Sequence, residues 1–265
     1  MLSTGDLIHV VCQNPQANEI IVDNKQNLLI LHPDILISST AVSDSFTCLR
    51  KAVLRDRIRD TADYNEALVH GLIMHRVFQS SLQSGDFSFH TLKSEIEQAV
   101  ISSVEELYAI DQTEQMAMLI LERHIPTMQS WAAAYLTSNP TPSAIVATDR
   151  GPSFGNHRKE PVVVGVDKVL DIEEHIWSPM YGLKGMIDVT IQAKIKQGPH
   201  TQILTIPMEI KTGKKNKILS HRAQTILYTL LMHDRYGKQA VRIRYPSRPY
   251  FSHLIVNPSD HRIAL

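Results

Sequence analysis

Residues 182–213 read GLKGMIDVTIQAKIKQGPHTQILTIPMEIKTG, and this stretch decides the fold. Both halves are rich in β-branched residues at period two, the pattern of strands, and QGPH between them supplies glycine and proline for a turn. The spacing predicts strands over 182–194 and 201–210. Residues two apart on a strand project to one face, so Glu209 and Lys211 point together, and pairing of the two strands brings Asp188 beside them. Carboxylates set in otherwise apolar runs need partners. Two of them a few ångströms apart repel unless a cation lies between, and hard oxygen donors suit Mg²⁺ or Mn²⁺. A lysine beside such a cation offsets charge on an attacked phosphate and helps orient or deprotonate water. Outside this setting Glu-x-Lys reads as an ordinary salt-bridged strand pair. Within it, the wiring is that of metal-dependent phosphodiester hydrolysis.

Working outward, HRAQTILYTLLMH (221–233) is apolar and helical and sets Gln224 and Tyr228 four apart on one face. A third β-rich run covers 162–169, and Pro-, Ser- and Gly-rich residues 137–161 predict a long exposed loop. Short apolar runs at 7–12, 19–23 and 28–31 predict a small antiparallel β element. Helices are expected over 43–59 behind the capping run STAVSDS, over 65–82, over 92–108, and over 114–136, where Pro126 should kink or split the helix. On the second of these, Leu68, Leu72, His75 and Gln79 share a face, which makes His75 a candidate third ligand; Gly71 on the same helix permits close approach of another backbone. A histidine on such a face otherwise reads as a hydrogen-bonded core residue. The tail, 238–265, shows prolines, scattered basic residues and no sustained period.

Composition bounds the remaining choices. With 265 residues and 43% hydrophobic content the chain supports one large domain or two small ones and is not a disordered tail. Two cysteines, Cys12 and Cys48, cannot make a disulfide framework or a four-cysteine metal site. No apolar run is long enough for a membrane span and the start lacks the pattern of a signal peptide, so an intracellular chain with no membrane partner is expected. The balance of 27 Lys+Arg against 27 Asp+Glu hides opposed regions. Arg50, Lys51, Arg55, Arg57 and Arg59 form one basic run, Lys211, Lys214, Lys215, Lys217 and Arg222 another, and the compensating acids gather in 92–122. The basic runs flank the proposed carboxylate site, where Arg50, Lys51, Arg55, Lys214, Lys215, Lys217 and Arg222 would contact the phosphates of a single strand.

The order GLIMH (71–75), GMID (185–188), MEIK (208–211) and QTILY (224–228) resembles the RecB-like and Cas4-like branch of the PD-(D/E)XK nucleases. Over about residues 5–237, CLRKAVL, DIEEHIWSP, YGLKGMIDVT, MEIKTGK and HRAQTILYTLL are similar to the nuclease domain of the eukaryotic DNA replication ATP-dependent helicase/nuclease family. The resemblance implies an α/β restriction-endonuclease-like core with a helical layer (38–237), an N-terminal β-barrel-like element (1–37) and an aberrant or poorly ordered tail (238–265) of a truncated or altered C-terminus. It implies that His75, Asp188, Glu209 and the backbone carbonyl of Ile210 hold Mg²⁺ or Mn²⁺, that Lys211 is the catalytic lysine, and that Gln224 and Tyr228 support it. It matches Cys48 to the first cysteine of a 4Fe-4S cluster, but no cysteine follows Cys48, so the cluster is not expected to be completed. KTGKKN (211–216) lacks the first glycine and final hydroxyl residue of a phosphate-binding loop, so helicase and ATPase activity are not expected. The activity implied is metal-dependent endonucleolytic cutting of single-stranded DNA and 5′ flaps in Okazaki fragment maturation, end resection and repair. The implied location is the nucleus, with the mitochondrion as an alternative, and a single-strand-binding protein is the implied partner. The competing readings are an exonuclease of the same superfamily and a catalytically inactive DNA-binding fragment.

Overall fold

A computed structural model describes residues 5–12, 19–23, 25–33, 35–58, 64–144, 162–211 and 219–237, together with the backbone of 254–256. Strands β1 (Ile8–Val11) and β2 (Leu28–Leu31) pair antiparallel, Ile8 opposite Leu31. The expected antiparallel pairing is present, whereas the family resemblance implies a barrel-like element here. Among the described residues it is a two-stranded sheet, because the two four-residue strands pair only with each other.

Strand β3 (Ile37–Ser38) leads directly into α1 (Ser39–Arg57). The helix starts before residue 43 because Ser38 supplies the cap, its Oγ accepting from the Ala41 N–H at 3.1 Å. It is broken at Cys48, whose extended φ of −159° and ψ of 105° separate two helical halves. Helix α2 (Glu66–Ser84) is capped by the Asn65 side chain and stopped by Gly85 at φ 72°. The single helix expected over 92–108 is two: α3 (Phe89–Ser102) and α4 (Val104–Tyr108). Between them Ser103 leaves helical geometry, and its buried hydroxyl accepts from Arg76 Nη1 at 3.2 Å, a tertiary bond that the local pattern does not encode. Helices α5 (Glu114–Leu121) and α6 (Ile125–Tyr135) flank a 3₁₀ turn, Glu122–His124, with Pro126 in the first turn of α6, which is the expected split. Of the loop expected over 137–161, residues 145–161 lie outside the described residues.

The main sheet is built from β4 (Val162–Ser178), β5 (Leu183–Gln197) and β6 (His200–Ile210), antiparallel neighbours in the order β4-β5-β6. Strand β4 runs on well past residue 169, so DIEEHIWS is strand as well. Gln197 pairs with His200 across the two-residue turn Gly198-Pro199, with Gly198 at φ 55°. Helix α7 (Leu219–Tyr236) follows, and β7 (Leu254–Val256) pairs parallel with Met208–Ile210. Of the tail, only this strand is described.

Two apolar clusters hold the layers together. The larger joins α2, α3, α5 and α6 to β4, β5 and β6, and contains an aromatic group in which Phe78 lies edge-on to Trp131 at 4.7 Å. The smaller places Tyr228, Leu231 and Met232 of α7 on Ile176, Leu183 and Ile187. Gly185 permits this approach: a Cβ there would lie 2.8 Å from a Leu231 methyl and 2.9 Å from the Tyr228 ring. Strand β5 pairs with β3 at Leu183 and Lys184 and with β6 from Val189 onward, so its neighbour changes across residues 185–188. Asp188 sits at that fork.

Candidate metal centre

The register that pairs Ile172 with Val189, Glu174 with Ile187 and Val189 with Met208 lines up Glu173, Asp188 and Glu209 as a row across three strands. Directly opposed residues of antiparallel strands point to one face. Onto that row α2 lowers His75, whose Nε2 lies 3.1 Å from Asp188 Oδ2 and whose Nδ1 lies 3.6 Å from Glu173 Oε1. One turn further along α2, Gln79 Nε2 donates to Glu173 Oε1 at 2.5 Å and to the Asp188 carbonyl at 3.1 Å. From the other side α7 brings Gln224, whose Nε2 donates to Glu209 Oε1 at 3.0 Å and to the Tyr228 hydroxyl at 2.8 Å. Lys211, immediately after β6, donates from Nζ to Glu209 Oε1 at 2.5 Å. The Ile210 N–H donates to Asp188 Oδ2 at 2.7 Å and fixes that carboxylate against β6.

The structure therefore gathers His75, Asp188, Glu209, Lys211, Gln224 and Tyr228 at one place. It adds Glu173 and Gln79, which the sequence reading did not select as site residues. A ligand atom from each of His75, Glu173 and Asp188 lies within 4.8 Å of the others. Glu173 has a positive φ of 54°, a costly backbone for a non-glycine residue that turns its side chain toward α2. The acidic pair in DIEEHIWS was the available signal; it was hidden because the strand was expected to end before it.

Electrostatics at the site are unbalanced. Glu209 is 2% exposed, and burial together with the nearby Asp188 charge pushes its carboxyl up to about 7 despite the opposing pull of Lys211. Burial works to lower His75, but its hydrogen bond to Asp188 and the charges of Asp188 and Glu173 prevail and raise it. Burial and the Glu209 charge lift the Tyr228 phenol far above its ordinary range, so it stays a neutral donor and acceptor. Two buried carboxylate oxygens, Glu209 Oε2 and Glu173 Oε2, have no hydrogen-bond partner. Orphaned buried carboxylate oxygens around an imidazole are the donor set of a hard divalent cation, so Mg²⁺ or Mn²⁺ fits the residues present.

The expected DNA-contacting residues are distributed unevenly. Arg50 and Lys51 are exposed on α1, which packs against α7, and Arg222 is exposed on α7. Arg55 is exposed too, but pairs with Asp44 at 3.5 Å. Lys214, Lys215 and Lys217 lie outside the described residues. Cys48 is an exposed free thiol at the break in α1. Among the described residues no helix is long and apolar enough to cross a membrane.

A row of carboxylates, a histidine and a lysine at the fork of a mixed sheet, enclosed by helices on both sides, defines an α/β protein with a candidate divalent-metal centre. The family of DNA replication factor Dna2 matches residues 1–193, and the chain belongs to that family. It is 36% identical over 234 residues to the DNA replication ATP-dependent helicase/nuclease dna2 of Schizosaccharomyces pombe, covering 88% of this chain and 16% of that protein. It is 34% identical over 233 residues to DNA2 of Mus musculus (87% and 22%) and 36% identical over 241 residues to JHS1 of Arabidopsis thaliana (89% and 18%), both helicase/nucleases of the same description. The chain thus spans 16% to 22% of the length of these relatives.

Proposed function

We propose that this chain is a metal-dependent nuclease unit that cuts single-stranded DNA internally, with 5′ flaps as substrate, in replication and repair within the nucleus. The observation that carries the reading is the unpartnered, buried Glu209 Oε2 beside Asp188, with Lys211 held on the same carboxylate. Family membership and the nuclease named in the relatives support it. His75, Asp188, Glu209 and Glu173 would hold Mg²⁺ or Mn²⁺, with the Ile210 carbonyl as a further oxygen donor. Bound there, the cation would supply Lewis-acid charge to a phosphodiester oxygen and lower the pKa of a bound water.

The chain's own groups do the rest. The Ile210 N–H locks Asp188, and Gln224 locks Glu209, so that neither carboxylate must reorganise when the strand arrives. Lys211 has a side chain about one-third exposed and an ammonium held on Glu209, from which it would offset charge on the attacked phosphate and orient water. Gln79 binds both Glu173 and the Asp188 backbone and so couples α2 to the strand fork. Arg50, Lys51 and Arg222, with Lys214, Lys215 and Lys217, would add sequence-independent phosphate contacts.

The test is cleavage of a 5′-flap DNA by the full chain with Mg²⁺, compared with Asp188→Ala, Glu209→Ala and Lys211→Ala. Loss of cutting in all three supports the reading. Cutting that survives all three refutes it, and cutting only from free ends reassigns the chain as an exonuclease.

A further inference from the structure

The cleft beside the carboxylate row has a second chemical character. A cavity of about 510 Å³ is lined by Asp188, Gln224 and Tyr228 of the site and also by His175, Trp177, Lys184 and Met186. Lys184, Met186 and Asp188 stand two apart on β5, and on β4 Met186 faces His175 while Lys184 faces Trp177. The rings of His175 and Trp177 are stacked, their centroids 5.7 Å apart and their planes 19° from parallel. Trp177 is 60% exposed and Met186 47% exposed, whereas the other tryptophan, Trp131, is 3% exposed in the core. The floor beneath the shelf is fixed: Ile176 is buried between the two rings' positions, and Ser39 Oγ donates to the Lys184 carbonyl at 3.2 Å.

We propose that His175 and Trp177 form a stacking shelf for the unpaired bases next to the scissile phosphate, with Lys184 on the adjoining backbone phosphate. The inference rests on the nuclease reading for what occupies the carboxylate row, and adds what selects the strand. An exposed, preordered pair of flat rings offers a π-face that any base can use, and stacking needs bases that are not paired in a duplex. A lysine one strand away supplies the positive charge that tracks a phosphate backbone. Strand geometry places the His175 and Met186 row about 7 Å from Asp188, and the Trp177 and Lys184 row about twice as far. The shelf thus lies within reach of the first nucleotides flanking the site. Selection of single strands would then arise from access to base faces rather than from the carboxylates, which see only a phosphodiester.

The test uses the full chain with Ca²⁺ replacing Mg²⁺, and follows tryptophan emission, since Trp177 is the exposed reporter. The probes are a short oligothymidylate and an abasic strand of equal length. The shelf requires quenching by the oligothymidylate but not by the abasic strand. Trp177→Ala should weaken oligothymidylate binding about 5- to 150-fold while Trp177→Phe retains most of it. In cleavage with Mg²⁺, Trp177→Ala should raise KM with kcat little changed. Equal quenching by the abasic strand, or unchanged binding by a Trp177→Ala variant that still unfolds cooperatively, overturns the shelf. Absence of metal-dependent cutting by the unsubstituted chain would instead overturn the nuclease reading, so the two failures are separable.

Discussion

Replacing Glu209 by glutamine should stabilise the metal-free protein above neutral pH while abolishing its metal-dependent cutting. In the folded chain, burial first and the Asp188 charge second push this carboxyl from an ordinary 4.5 to about 7, with Lys211 acting in the opposite sense. Each pH unit of such a rise is worth about 1.4 kcal/mol, so ionised Glu209 costs the folded, metal-free chain about 3 kcal/mol relative to the unfolded one. A carboxyl with a raised folded value binds its proton more tightly folded than unfolded. The cost is therefore absent below about 4.5, grows through the window up to about 7, and is complete above it. Glutamine keeps an oxygen for Lys211 and Gln224 and exchanges one unpartnered buried atom for another, so the substitution isolates the charge. The His75 contribution, also raised, is lost in the same direction as pH rises in both proteins, and because the His75 charge pulls Glu209 downward the difference between them includes that coupling. The assay is urea unfolding with a chelator at about pH 5 and about pH 8.5, where the variant's advantage should grow from about 1 kcal/mol to about 3 kcal/mol. Adding Mn²⁺ should stabilise the parent chain more than the variant, which keeps the His75, Glu173 and Asp188 donors but lacks the Glu209 charge. A variant no more stable than the parent at the higher pH, or one with the same pH dependence, refutes the claim that Glu209 is held as a strained buried charge.

Further outcomes follow from the same geometry. Glu173→Gln should weaken Mn²⁺ binding, measured by titration calorimetry, by about tenfold or more, since it removes one of the clustered donors; unchanged affinity would place Glu173 outside the metal's reach. Lys211→Met should lower the cleavage rate by about 100-fold or more while Mn²⁺ still binds, and loss of both together would make Lys211 a structural counter-charge alone. Gly185→Ala should destabilise the fold by about 1–3 kcal/mol in thermal or denaturant unfolding, because its Cβ collides with Leu231 and Tyr228. Replacing Arg50 and Lys51 together by alanine should reduce the slope of log affinity against log salt by roughly 1 to 1.5 for single strands, equally for all sequences; an unchanged slope would remove α1 from the DNA path.

Much of the site was legible because strand periodicity is local. The two-residue spacing of Glu209 and Lys211, and the helical spacings of His75 with Gln79 and of Gln224 with Tyr228, are properties of φ and ψ that neighbouring residues set. Capping and proline logic likewise located α2 and the split before α6. Glu173 was not legible, because its role depends on a strand continuing through an acidic pair and on a positive φ that tertiary contacts must hold in place. The break at Ser103 had the same origin, a hydrogen bond to a helix well removed in sequence. The N-terminal element illustrates the converse: alternation identified its strands, but alternation carries no information on how many strands a sheet collects.

Backbone period and side-chain type alone marked His75, Asp188, Glu209, Lys211, Gln224 and Tyr228 as able to do chemistry and grouped those that share a strand or helix face, but they did not mark Glu173 or Gln79. Only the tertiary structure decided that β5 changes partner at Asp188, that Glu173 and Glu209 flank it in register, and that each is left with a buried oxygen unsatisfied. Register and burial arise from contacts between segments far apart in the chain, and a charge becomes a metal-binding demand only when those contacts remove its water.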